Sequence, residues 1–142
     1  MSTGGITARC YCGQVSLSTS KAPITVAFCH CSDCQRWTGS PAPACAAFDP
    51  KDLTAEPPFG AGVVTNPGVE RWNCTHCGSP LAARFDYLPE QIYIPLGLID
   101  QAADLPAQIH CHSESVLPWL HIHDNAERAI GTGRDALLGA QK

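Results

Sequence analysis

Apolar and β-branched residues recur along this chain in short runs. They alternate or cluster over residues 6–11, 15–18, 25–28, 42–48 and 91–98. A period near two over so short a length predicts strands, because successive strand side chains point to opposite faces. Gly, Pro and Asx residues separate the runs, the pattern of a mostly β chain. Pro23, Pro41, Pro43 and Pro95 fall at run ends or edges, where a missing backbone N–H costs least. Residues 52–67 are rich in Pro and Gly and predict a loop. One short helix is predicted over 32–37, capped by Ser32 and ended by Gly39. A weaker helical pattern over 126–138 is interrupted by Gly131 and Gly133, and fraying is expected from Gly139 onward.

Composition narrows the class. A chain of 142 residues with 44% hydrophobic and 15% charged residues predicts one globular domain over 1–142. The net charge of -4 gives no basic footprint, so neither nucleic acid nor an anionic membrane is an expected partner. The opening residues lack the basic flank and apolar stretch of a signal peptide, and no apolar run approaches a membrane span. A cytoplasmic address is therefore expected. A homo-oligomer is compatible with the sequence, which does not fix the oligomeric state.

Nine cysteines change the picture. In a reducing compartment clustered cysteines point to metal or catalysis rather than to disulfides. CYCG carries Cys10 and Cys12, CHCSDC carries Cys29, Cys31 and Cys34, and CTHCGS carries Cys74 and Cys77. The last has the form of a zinc knuckle, two thiolates two residues apart with a Gly that lets the chain turn beneath the ion. It supplies half of a tetrahedral site. The pair Cys10 and Cys12, followed by Gly13, is its expected partner, and four thiolates would make a closed structural site. The alternative is two unrelated free pairs.

Cys29, Cys31 and Cys34 then have no fourth cysteine at motif spacing. Three protein ligands with an open position is the pattern of a reactive zinc. Three thiolates on a divalent ion leave one net negative charge, which makes a poor Lewis acid but a good acceptor for a further sulfur. Arg36 could offset that charge. Against this, His30, His76, His110 or Cys111 could complete the shell and make the site structural too. On a strand, His110 and His112 would share a face and Cys111 would point away. Cys45 and Cys111 otherwise read as buried free cysteines. Trp37 and Trp119 read either as pocket walls or as core and edge aromatics.

CYCG, CHCSDCQRWTGS, CTHCGSPL, GLID, and His110 followed by SVLPW together resemble the glutathione-dependent formaldehyde-activating (GFA) family, shared with the centromere-protein V branch. The motif match runs from about 6 to 120, leaving 121–142 as a tail. The resemblance implies a mostly β, zinc-bound β-tent fold of small antiparallel sheets with one or two short helices. It implies two zinc sites, one structural at Cys10, Cys12, Cys74 and Cys77 and one labile and catalytic at Cys29, Cys31 and Cys34. The implied reaction joins glutathione to a small aldehyde such as formaldehyde, a carbon–sulfur lyase run in reverse. Arg36, Ser79 and His110 are candidate groups for the developing alkoxide, and Trp37 for the substrate wall. The alternative is a zinc-stabilised binding domain, or a carrier of glutathione adducts, without chemistry. Two departures from the family pattern stand out: Trp72 and Asn73 occupy the place of a usual Phe before the knuckle, and Val116 stands where many members carry a basic residue.

Overall fold

The computed structural model describes residues 5–139. Three strands, β1 (Ile6–Arg9), β2 (Ser16–Thr19) and β5 (Thr54–Glu56), form a small antiparallel sheet in the order β1-β2-β5. Seven others form the larger sheet: β3 (Thr25–Cys29), β4 (Ala44–Phe48), β6 (Val69–Asn73), β7 (Pro80–Phe85), β8 (Ile92–Pro95), β9 (Ile109–Cys111) and β10 (Glu127–Arg128). Their order is β10-β9-β3-β4-β8-β7-β6. The mostly β expectation holds, with a larger sheet that is mixed: β9 pairs in parallel with both β3 and β10. Two short helices, α1 (Ser32–Thr38) and α2 (Arg134–Leu138), complete the described residues.

The large sheet has two unlike faces, as strand alternation requires. One face carries Val26, Ala46, Phe48, Ile92 and Ile94, which pack on Ile6, Ala8 and Leu17 of the small sheet. The opposite face carries Ala27, Ala47, Tyr93, Ile109 and Cys111, with Leu137 of α2 laid against them. Several positions on this second face are small, including Ala27 opposite Cys45, and Ala47 and Ala83 on either side of Tyr93. Small side chains cannot fill the space above the sheet. A hollow results over its middle, roofed by α1.

The loop from β3 into α1 is anchored from behind. Phe28 and His110 are register partners on the first face, and their rings stack with centroids 4.7 Å apart. His30, only 1% exposed, sets its Nε2 2.8 Å from Nδ1 of His110. The other nitrogen of His110, Nε2, lies 2.9 Å from Asp124 Oδ2, and Arg128 pairs with the same carboxylate. Burial, followed by the charges of His110 and Arg128, pushes the His30 pKa down and keeps that ring neutral.

Several expected boundaries shift for local reasons. The first run ends at Arg9, because a turn begins at Cys10. The run over 91–98 stops as a strand at Pro95 and closes with a 3-10 turn, Leu96–Leu98. The loop over 52–67 contains β5, which the Pro and Gly around it concealed. Helix α1 is capped by Cys31 rather than Ser32, its sulfur accepting the Cys34 N–H at 3.3 Å, and Gly39 ends it as predicted. Only the second half of the 126–138 pattern is helical, since Glu127–Arg128 is drawn into pairing with β9. The fraying expected after Gly139 lies outside the described residues.

Two outcomes follow from this packing. Phe48, 2% exposed between the sheets, should cost about 3–5 kcal/mol when changed to Ala, read as a lower urea midpoint at unchanged slope. The Asp124 carboxyl is held down to about 2, first by the His110 hydrogen bond and then by Arg128. A depressed carboxylate stabilises the fold above its unfolded pKa of about 3.9 and loses that contribution as pH falls through the folded value. Asp124→Asn should therefore lie below wild type in urea midpoint at pH 5, with the gap closing as pH falls from about 4 to 2.

Candidate functional site

The seven clustered cysteines meet at two places. The first joins two similar turns far apart in sequence. In one, the Gly13 N–H donates to the Cys10 carbonyl at 3.1 Å, and in the other the Gly78 N–H donates to that of Cys74 at 2.8 Å. Both glycines take the left-handed conformation, φ 83° and 81°, that an L side chain resists. The turns bring Cys10, Cys12, Cys74 and Cys77 together with all four sulfurs within 4.8 Å of one another. Cys10 and Cys12 sulfurs are 3.6 Å apart, and those of Cys12 and Cys74 are 3.8 Å apart. Zinc–sulfur bonds of about 2.3 Å in a tetrahedron place sulfurs about 3.8 Å from each other, so the donor set and its spacing fit such an ion.

Ser79 belongs to this cluster. Its hydroxyl accepts the Tyr11 N–H at 3.0 Å and lies 3.1 Å from the Cys77 sulfur. That contact, with the Ser79 backbone next, holds the Cys77 thiol down to about 5 and favours its thiolate.

The second meeting place is at the end of β3 and the start of α1. Cys29, Cys31 and Cys34 set three sulfurs within 4.8 Å of one another, with Cys29 and Cys31 3.3 Å apart. Hydrogen bonds from the Cys29 and Cys34 thiols hold Cys31 low, to about 2, so it is the first of the three to ionise. The same contacts push Cys29 and Cys34 up, since a second thiolate beside the first is disfavoured. A divalent cation would reverse that repulsion, and a trio of sulfurs suits a thiophilic one.

These sulfurs open into a cavity of about 250 Å³ above the small-residue face of the sheet. Its walls are mainly apolar and aromatic, with Trp37, Phe85, Tyr87 and Tyr93 the largest. Cys45 and Cys111 also line it, and burial pushes both thiols up to about 12, keeping them neutral. His112 lines it too. It takes φ 53°, an uncommon conformation for a non-Gly residue, and this turn out of β9 lets Cys111 and His112 reach the same side.

The structure separates the residues that the motifs offered as substrate groups. Trp37 lines the cavity. Arg36 is an exposed residue of α1 outside the lining, and Ser79 lies at the four-cysteine cluster. His110 faces the opposite side of β9 from Cys111, holding His30 and Asp124. Trp119 is 67% exposed and outside the lining, an edge aromatic. Arg71 and Tyr87 escaped notice in the sequence but are part of the wall. The signal for Arg71 was alternation, since Val69 and Arg71 share a strand face opposite Phe85 and Ala83; Tyr87 lies in a turn and carried none.

The two clusters are connected through the roof. The Trp37 indole N–H donates to Asn73 Oδ1 at 2.9 Å, and Asn73 Nδ2 donates to the Gly78 carbonyl at 3.2 Å. Asn73 thus ties α1 to the knuckle turn.

Among solved structures, a crystal structure of a Rhodobacter sphaeroides protein is similar to this chain, with TM-score 0.53 and 19% identity over 66% of this chain and 87% of that one. At that identity the likeness concerns the fold. No curated protein matches the chain. A model of the glutathione-dependent formaldehyde-activating enzyme family matches residues 5–115, which takes in both cysteine clusters and every strand except β10. The chain belongs to the glutathione-dependent formaldehyde-activating enzyme family.

Proposed function

We propose that this protein is an enzyme that joins a small thiol, glutathione, to formaldehyde, with the carbon–sulfur lyase reaction as its reverse. The observation that carries this reading is the contrast between the clusters. One gathers four sulfurs, whereas the other gathers three at the mouth of an apolar cavity. Four thiolates close a zinc shell, so Cys10, Cys12, Cys74 and Cys77 are assigned a structural ion. Cys29, Cys31 and Cys34 are assigned a second, exchangeable zinc. When bound there, that ion supplies positive charge and an open position suited to a sulfur ligand.

In the reaction the thiol gives up its proton, its sulfur lone pair forms a bond to the aldehyde carbon, and the carbonyl π pair moves to oxygen. The oxygen then takes a proton, giving the S-hydroxymethyl adduct. The chain's own groups contribute in three ways. Cys29, Cys31 and Cys34 orient the incoming sulfur. Trp37, Phe85 and Tyr93 exclude water, which would otherwise hydrate the aldehyde and weaken every electrostatic contact. Tyr87 provides an O–H donor for the oxygen. Burial pushes its pKa up, so the phenol keeps its proton at neutral pH.

The test counts zinc per chain by elemental analysis after desalting, with and without excess glutathione. Two ions falling toward one with glutathione is the expected result. Two that stay in place would make the second site structural and end the enzymatic reading. Cys31→Ser should remove one ion and abolish loss of formaldehyde in the presence of glutathione, with the far-ultraviolet circular dichroism unchanged. Cys74→Ser should instead lose the fold's cooperativity, because its ion joins turns distant in sequence. Tyr87→Phe should reduce turnover by about 10- to 100-fold with little change in glutathione affinity, as expected for a donor used in the transition state.

A further inference from the structure

Arg71 stands on β6 and lines the same cavity as the three cysteines. Its backbone is fixed on both sides, by pairing with Ala83 on β7 and by reciprocal hydrogen bonds with Val63 at 2.8 and 3.0 Å. Its guanidinium carbon sits 4.9 Å from the centre of the Trp37 ring. Nη1 is buried and makes no hydrogen bond, and no carboxylate among the described residues forms an ion pair with this side chain. A guanidinium is always charged and carries five donors in a fixed fork. Leaving one of them buried and unmet is costly, so such a group calls for an explanation.

Three observations together describe what would meet it. The donor belongs to a residue lining the cavity, so a molecule in the cavity can reach it. Stacking on Trp37 holds the fork in place at low entropic cost. The fork lies over Trp37 and not among the three sulfurs, so a group seated at Arg71 is a different part of the ligand from one held at Cys29, Cys31 and Cys34. Arg71 therefore meets a remote part of the ligand rather than the reacting carbon.

We infer that Arg71 is a specificity residue that binds a carboxylate of the thiol ligand, so that the cavity selects thiols carrying a carboxylate several bonds from the sulfur. This rests on the proposed function for its thiol and adds the anionic anchor to it. The sulfur end is held by the cysteine trio, the body of the ligand passes Trp37, and the carboxylate replaces the missing partner of Nη1. Asp33, also in the lining, disfavours a second anion at the mouth beside α1.

The experiment compares acids with their neutral esters by calorimetry on the protein as purified. The probes are glutathione, glutathione diethyl ester, S-methylglutathione and S-methylglutathione diethyl ester. Wild type should bind each acid about 10- to 100-fold more tightly than its diester, as for a charge-assisted hydrogen bond. Arg71→Gln should bring that ratio close to one while leaving diester binding unchanged. Arg71→Lys, which keeps the charge but not the fork, should fall between. Circular dichroism and urea midpoints of both variants confirm that they are folded. An acid-to-ester ratio that is the same in wild type and Arg71→Gln, or no binding of either acid to wild type, overturns the inference. Failure of the proposed function alone has a different signature: both acids bind equally well through Arg71, and formaldehyde is not consumed.

Discussion

The cavity exists because of which face of the seven-stranded sheet each strand residue occupies. Strand side chains alternate, so a single register decides two environments at once. Large residues such as Phe48 and Ile94 fall on the side that meets the small sheet and build the core there. Alanines and cysteines fall on the other side and leave it hollow. Slipping β3 by one residue would bury Phe28 in the cavity and turn Cys29 into the core. Tight packing on the first face is thus what keeps the second face free to hold a ligand, since a close-packed interior resists such shifts.

Much of this was readable in the chain. The cysteine groups and their glycines announced two clusters, because ligand spacing and the turn beneath it are local properties. The four long apolar runs from residue 6 to residue 48 became strands for the same reason. What escaped depended on distant partners. β6, with the sequence VERWN, has an apolar residue at either side of charged ones, and its strand character comes from pairing with β7. Arg71 looks like a solvated charge until the fold brings Trp37, distant in sequence, against its guanidinium. His112 illustrates a third kind of loss. Two histidines flanking a cysteine imply a shared face only while the strand continues, and a positive φ at His112 ends it one residue early. The exchange of Ser32 for Cys31 at the helix cap is similar: Ser32 already belongs to the helix, and the sulfur one residue earlier accepts the Cys34 N–H.

The electrostatic design of the cavity follows from the same layout. Five cysteines face a space with few polar groups, and in each of Cys45 and Cys111 burial suppresses the thiolate. Ionisation is confined to the trio, where hydrogen bonds between thiols single out Cys31. Negative charge is thus concentrated at the trio, and the fixed positive charge of Arg71 lies over Trp37 in the same hollow. Such a field orients a dipolar or zwitterionic molecule before any contact forms.

The hydrogen-bond string from Trp37 through Asn73 to Gly78 has a thermodynamic meaning beyond holding a roof in place. It makes the turn under one cluster and the wall over the other parts of the same small mechanical unit. Free energy that orders this unit from one end also lowers the cost of ordering it from the other, and linkage requires the benefit to be equal in both directions. The asparagine at position 73 therefore gives the two centres a shared polar contact where an apolar side chain would give none.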